Sequence, residues 1–424
     1  MVVSAESPAH YDELETRPPE QREEALMAAL PRAIAQARAH ASAFAGILQN
    51  LTPSTVASRA ALAQLPVTRK SELLERQRAS RPHGDPFGGF ATIGWRPRGG
   101  ALRVYASPGP IYEPEGMAHD YWRAARALFA AGFRAGDLVH NSFSYHLTPA
   151  GSMMETGAHA LGCTVFPGGV GNTELQLQAA SELRPHGYTG TPSFLKILLE
   201  KSAEINLPLP SLRKALLSAE ALPPSLRNWF ADRGVVAFQC YATADLGTIA
   251  YETEAREGLV LDEQVIVEIV RPGTGEPVPD GEVGEVVVTT LNPDYPLIRF
   301  GTGDLSAVLP GTCPTGRTNM RIRGWMGRAD QTAKVRGMFV HPSQVADIAR
   351  RHPEVRRARL VVSGEMANDR MTLQVEVAQQ HEGLSASIAQ TIRDVTKLRG
   401  DVVLSAPGSL PNDGKVIEDA RSYD

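Results

Sequence analysis

"HGYTGTPSFLKILLEKSAEINLPLPSLRKALLSAEAL", residues 186–222, holds the reading on which the fold turns. HGYTGT reads as a short strand that runs straight into a helix opened by Pro192, and the chain returns through KALLSAEAL as a second strand. Proline suits that first helical position because the N–H it lacks has no partner there. The same rhythm extends outward. Upstream, GDLVHNSF and GCTVFPGG read as strands and NTELQLQAASEL as a helix; downstream, PSLRNWFADRG is a helix and VVAFQCYATAD a strand. Such alternation predicts an α/β domain with a parallel sheet covered on both faces. Ligands of these sheets gather beyond the carboxyl ends of the strands. Here those ends read NSFSY, PGGVGNTE, TGTPS, SAEAL and YATAD. Fold class alone assigns no activity.

The flanks differ in texture. PEQREEALMAALPRAIAQARAHASAFAGIL, residues 19–48, reads as helical with a break or fresh start at Pro31. MAHDYWRAARALFAAG, residues 117–132, predicts a helix with Trp122, Ala125 and Phe129 on one face and Gly132 as its stop. GLVLDEQVIVEIV, GEVGEVVVTTL and TNMRIRGW are alternating β patterns and predict a small antiparallel unit. Beyond residue 331 the order is helix, strand, strand, helix, strand, an α+β module of roughly 95 residues.

Bulk properties exclude several classes. A chain of 424 residues exceeds one typical core, so one large and at least one smaller domain are expected. The net charge of -4 offers no basic field for nucleic acid. No apolar run reaches the length of a membrane span. The N-terminal residues are acidic and polar, unlike a signal peptide. Cys163, Cys240 and Cys313 are scattered, which points to a reducing, cytoplasmic setting; neither C-x-x-C nor H-E-x-x-H occurs, so zinc is not expected.

VHNSFSY, GGVGNTELQ, TPSF, SAEAL, CYATADLG, GEVGEVVVTTL, LIRFGTGDL, RIRGWMGRADQTAKVRGMFVHPSQV and LPNDGK follow one another in this order. Together they make the chain resemble the phenylacetate–CoA ligase family of adenylate-forming enzymes, from about residue 12 to the C-terminus. The resemblance implies an adenylate-forming fold with an AMP-binding and acyl-pocket domain, residues 1–328. A mobile C-terminal lid, residues 329–424, would follow, hinged at Asp330. It implies activation of a small aromatic or similarly compact carboxylic acid by ATP and Mg²⁺, then transfer to coenzyme A, and it allows a homodimer.

Particular residues inherit roles from this resemblance. Lys415 in LPNDGKVIE matches the catalytic lysine, which bridges phosphate and carboxylate as charge develops. Alone, a lysine in such a turn is ordinarily a solvated charge. Asp304 in RFGTGDL matches the acceptor of both ribose hydroxyls, one oxygen for each donor. Arg328 in GRAD would reach ATP. Cys240, Tyr241, Ala242 and Thr243 match the adenine-binding motif, with Asp245 as the Mg²⁺ carboxylate where the family usually has Glu. Ala219 and Glu220 match the adenine-edge loop. Phe143 and Tyr145, with Thr148, would line the acyl pocket. Thr148 and Pro149 are less bulky than the family's neighbourhood there, which points away from phenylacetate itself.

One stretch departs from the pattern. RVYASPGPIYEPEG, residues 103–116, stands where a phosphate loop would separate a strand from a helix. The family pattern is close to S-S-G-T-T-G-K-P-T, and this chain reads S-P-G-P-I-Y-E-P-E over residues 107–115. Ser107 and Gly109 persist as ATP contacts. Pro108 and Pro110 remove two N–H donors, and Glu113 replaces a lysine. At about 5 Å and a near-surface dielectric, one such unit charge pair is worth roughly 3 kcal/mol before screening. Three readings stay open: a ligase with a compensated loop, a paralogue that binds acyl-CoA or nucleotide without adenylation, and an adenylating enzyme with an amine or hydroxyl acceptor.

Overall fold

The computed structural model describes residues 9–95, 99–329, 333–335, 338–364, 369–413 and 415–420. Asp330, expected as the hinge, lies outside the described residues. The chain forms two compact units. One gathers Met1–Val267, Val288–Phe300 and Leu309–Gly324; the other gathers Glu268–Val287, Gly301–Val308 and Trp325–Asp424.

The first unit opens with α1 (Pro19–His40). Pro31 does not break it. Leu26, Leu30, Ile34 and Ala37 form a buried stripe that carries the helix across the missing N–H. After α2 (Lys70–Ser80) come the paired strands β1 (Arg103–Ser107) and β2 (Ile111–Glu115), so the stretch expected to lead into a helix is a hairpin. The helix expected over residues 117–132 contracts to α3 (Ala125–Ala130). Asp120 and Arg123 take left-handed backbone, which halts a helix before α3, and the Asp120 carboxylate caps the N–H groups of Ala124 and Ala125 at 2.8 and 3.1 Å.

The expected alternation then follows. β3 (Leu138–Asn141), α4 (Ala150–Ala160), β4 (Thr164–Pro167), α5 (Thr173–Leu183), β5 (Gly187–Gly190), α6 (Pro192–Glu204), β6 (Lys214–Leu217), α7 (Pro224–Ala231) and β7 (Val236–Thr243) succeed one another. β4, β3, β5, β6 and β7 lie side by side and parallel. β8 (Gly247–Glu252) and β9 (Leu259–Leu261) extend the sheet antiparallel. β5 follows β4 in the chain but lies on the other side of β3, so strand order reverses there, and such a point opens a crevice at the carboxyl ends. β5 is buried along its whole length, and Gly190 is required at its end, where a Cβ would collide with Ser142 Oγ and the Tyr188 hydroxyl.

GLVLDEQVIVEIV therefore splits, its first part serving as β9 and its second as β10 (Val265–Val270). β11 (Gly284–Thr290) and β12 (Phe300–Ser306) follow in the chain. β13 (Val308–Leu309) and β14 (Arg321–Ile322) come next in the chain, β14 pairing antiparallel with β9. In the second unit, α8 (Pro342–Arg350), β15 (Val355–Ser363), β16 (Arg370–Val377), α9 (Leu384–Thr396) and β17 (Asp401–Ser405) reproduce the expected order. β18 (Ile417–Asp419) adds parallel to β15. Val345, Ile348, Leu384, Ile388 and Ile392 from the helices pack on Leu360, Val362, Leu373 and Val375 of the sheet.

The hairpin is stitched from inside. Side chains two residues apart share a face of a strand, so Ile111, Glu113 and Glu115 all point inward and all are buried. Glu115 Oε2 accepts from the Tyr105 hydroxyl, Trp122 Nε1 and Ser152 Oγ at 3.0, 3.0 and 2.7 Å. Its Oε1 pairs with Arg103 at 2.6 Å. One carboxylate thus joins both strands, the segment before α3 and α4. Glu115→Ala should strand these donors and lower stability by at least about 3 kcal/mol, measured by urea unfolding. Glu115→Gln, which keeps the acceptor oxygen, should cost less.

Candidate functional site

At the carboxyl ends of β6 and β7 lies a cavity of about 120 Å³, lined by Phe143, Thr148, Pro149, Ala150, Met153, Met154, Ser218, Ala219, Ala242, Thr243 and Ala244. Among the described residues, no charged side chain lines it. Of the acyl-pocket residues expected, Phe143 and Thr148 are there. Tyr145 is not among its walls: its hydroxyl donates to Glu155 at 2.7 Å and accepts from Asn141 Nδ2 at 2.7 Å. Burial and the Glu155 carboxylate raise its pKa. Met153 and Met154 were not expected, because nothing in the sequence of α4 marks which helical face meets the strand ends.

The adenine-motif residues divide. Ala219, Ala242 and Thr243 border the cavity, and Ala219 holds φ at +69°, a conformation uncommon outside glycine. Glu220 instead accepts from Ser193 N and Oγ at 3.0 and 2.8 Å. Tyr241 and Cys240 are buried within β7, and burial pushes the Cys240 thiol up to about 12. A larger cavity of about 330 Å³ lies elsewhere in this unit, but its Arg123 and Arg126 already face Asp262 at 3.5 and 3.6 Å.

Directly after those cavity residues, Asp245 is buried and pairs through Oδ2 with Lys70 Nζ at 2.8 Å, while its Oδ1 is buried without a hydrogen bond. Lys70, the first residue of α2, was not singled out from sequence, where it looks like a solvated helix-start lysine. Glu113 belongs to the same neighbourhood. It accepts from Ser107 N at 3.3 Å and from Ser107 Oγ, so the serine kept from the family pattern is turned inward onto an acid. Burial, then the charge of Asp245, pushes the Glu113 carboxyl up to about 8. The repulsion expected between Glu113 and a polyphosphate therefore does not arise as reasoned: the acid is inside the hairpin, and burial favours its neutral form. Gly109 sits at the exposed tip.

In the second unit, Asp304 Oδ1 accepts from Arg328 Nη1 at 3.0 Å and from the Trp325 indole at 3.1 Å. Gly303 makes this possible, since φ is +73° and a Cβ would stand 2.7 Å from Arg328 Nη2. Trp325 was missed because an exposed tryptophan in a Gly-flanked loop carries no sequence signal. Lys415 is exposed on the approach to β18, where its N–H donates to Asp413, itself held by Arg359 at 2.6 Å.

A profile of the AMP-binding enzyme family matches residues 118–292. A phenylacetate–coenzyme A ligase of Thermus thermophilus is 32% identical over 386 residues, spanning 82% of this chain and 84% of the relative. The chain belongs to the phenylacetate–CoA ligase family. The Escherichia coli K12 phenylacetate–coenzyme A ligase is 30% identical over 383 residues, 84% of each chain. Among solved structures, a 2-hydroxyisobutyryl-CoA ligase with 2-HIB-AMP and CoA is similar at a TM-score of 0.72 and 25% identity, covering 96% of this chain and 93% of that one. The adenylate-forming fold is thus shared.

Within this ligase family fold, Mg²⁺ can be tested against the donors present. Among the described residues, no three of His, Cys, Asp or Glu gather as a metal cage. Mg²⁺ is commonly held by one or two carboxylates plus substrate phosphates. The buried Asp245 oxygen without a hydrogen bond fits an ion arriving with the nucleotide.

Glu113 also makes a measurable prediction. Its pKa is higher in the folded state than the ordinary 4.5, so its proton favours folding at low pH, and that contribution is lost as pH rises through about 8. In EDTA, wild type should lose thermal stability relative to Glu113→Gln between about pH 5 and about pH 9, by about 3 °C or more. Parallel Tm curves would contradict the buried, protonated acid.

Proposed function

We propose that this chain activates a compact, uncharged-tailed carboxylic acid with MgATP, releasing pyrophosphate, and passes the acyl group to the coenzyme A thiol. As a family member it is an AMP-forming carboxylate–CoA ligase. The observation that carries the reading is a buried carboxylate oxygen without a partner, on Asp245, immediately after the residues that line an uncharged cavity.

The size of that cavity supports the substrate class. An engineered apolar cavity of about 150 Å³ accepts benzene, and the one here is about 120 Å³. It suits an aryl ring or a short branched chain. Phe143, Met153 and Met154 would exclude water from the acyl group, and Ser218, Thr243 and Thr148 would offer it hydroxyl contacts. Asp245 would hold Mg²⁺, which when bound neutralises phosphate charge. By the family's precedent Asp304 would accept the ribose hydroxyls, Tyr241 would face adenine, Arg328 would approach the phosphates, and Lys415 would stabilise the charge that develops during adenylation. A lid from residue 329 would carry that lysine.

The binding-only alternative drew on the donors and cations lost from the loop and on Glu113 repelling polyphosphate, and the inward position of Glu113 removes the last of these grounds. A cytoplasmic setting is supported by three buried, free cysteines.

Single-turnover assays with ATP, Mg²⁺ and a panel of benzoate, phenylacetate, isobutyrate and 2-hydroxyisobutyrate test the proposal. Mass spectrometry should detect an acyl-adenylate, then a CoA thioester when CoA is added. Lys415→Ala should slow adenylate formation by about 10²–10³-fold and leave ATP affinity within about threefold. Absence of adenylate with every acid would overturn the reading.

A further inference from the structure

The hairpin tip lacks the cations and donors of a phosphate cradle, and α2 brings cations to it. Lys70, Leu73, Gln77 and Arg81 recur at intervals of three, four and four residues, so they share one face of α2 and of the turn that ends it. The later part of that face, Gln77 and Arg81, meets the hairpin. Lys70 pairs with Asp245 at 2.8 Å. Leu73 is fully buried. Gln77 completes the edge of β2, donating to Tyr112 O and accepting from Tyr112 N, both at 2.8 Å. Arg81 donates to Pro110 O at 2.6 Å, and its guanidinium lies 4.8 Å over the Tyr112 ring. Arg78, one residue beyond Gln77, donates to Gly109 O at 3.2 Å.

Pro108, Gly109 and Pro110 are exposed and offer a single backbone N–H, that of Gly109. A tip of this kind cannot cradle an anion by itself. Two guanidiniums nevertheless rest against it through bonds to its carbonyls. Each guanidinium has five N–H donors in a planar fork that matches phosphate oxygens, and the bonds to the tip hold that fork in place. From Lys70 to Arg78 the helix rises about 12 Å, so one helix spans from the Asp245 neighbourhood to the tip.

We propose that Arg78 and Arg81 are phosphate-binding residues that supply, from α2, the positive charge the loop itself has lost. The ligand is a phosphate group of ATP or of coenzyme A. This rests on the ligase reading and assigns its polyphosphate to two side chains outside the loop. Arginine is the suited residue because its charge survives any working pH and its fork gives two parallel bonds to one phosphate.

The test is calorimetric titration of wild type, Arg78→Gln, the double variant Arg78→Gln/Arg81→Gln, and Arg76→Gln, each with MgATP, AMP and coenzyme A. Arg76 is exposed on α2 away from the shared face and serves as the charge control. The expected result is a loss of ATP affinity of about threefold in Arg78→Gln and about tenfold or more in the double variant, with AMP affinity held within twofold and Arg76→Gln unchanged. Retained AMP binding shows that the double variant is folded; if it is not, Arg78→Gln alone decides. Loss of coenzyme A affinity with ATP unaffected supports the proposal with coenzyme A as the phosphate source. Unchanged ATP and coenzyme A affinities, with wild type binding ATP, overturn this proposal and leave the ligase reading standing. Wild type that binds neither ATP nor AMP overturns both.

Discussion

The structure around the site depends on a constraint of strand geometry: two acids at alternate positions of one strand must face the same way. In β2 that way is inward, beside Ile111, and a buried carboxylate persists only where donors meet it or where it takes up a proton. Glu115 follows the first route, with Arg103, Tyr105, Trp122 and Ser152 closing on it. Glu113 follows the second, held by Ser107 and favouring its neutral form. The hairpin's attachment to α4 and the segment before α3 follows from the first acid, and the inward turn of Ser107 from the second.

This changes what the rewritten loop means. As a string of letters it has lost lysine, hydroxyls and N–H groups, and reads as a phosphate loop that no longer works. In three dimensions the substituted acid is not presented to solvent at all. The serine that persists from the family pattern is turned onto Glu113, and cations reach the exposed tip from α2 and the turn that ends it. In the first unit, Asp245 has one oxygen paired with Lys70 while the other is buried without a hydrogen bond, and the residues just before it line a small cavity.

The parallel part of the sheet was legible because its signals are local and repeat. Helix openings such as Pro192, short β-rich runs and polar strand ends recur in register from residue 138 to residue 243, and the α+β module after residue 331 was readable for the same reason. The hairpin was not legible. Pro and Glu are poor strand formers, so only pairing with β1 reveals IYEPE as a strand. Pro31 misled in the opposite sense, since the buried stripe of α1 outweighs one missing bond. Phe143 and Thr148, assigned to an acyl pocket, and Ala219, Ala242 and Thr243, assigned to adenine, were singled out through the family resemblance, and all five border one cavity. Tyr145 is not among the walls of that cavity, and its hydroxyl meets Glu155, ten residues on in the chain, a partner that no local pattern announces. Lys70, Arg78 and Arg81 escaped notice because a basic helix reads as a solvated face until the hairpin is seen against it.

The most direct measurement of the central claim is carboxylate-dependent exchange of labelled pyrophosphate into ATP by the wild-type enzyme, without coenzyme A. Exchange requires that ATP bind at the altered loop, that the acid occupy the cavity and that adenylation run in both directions. The account predicts exchange above background with a compact acid, none without acid or with Mg²⁺ chelated. Tight AMP or acyl-CoA binding with no exchange for any acid would contradict it.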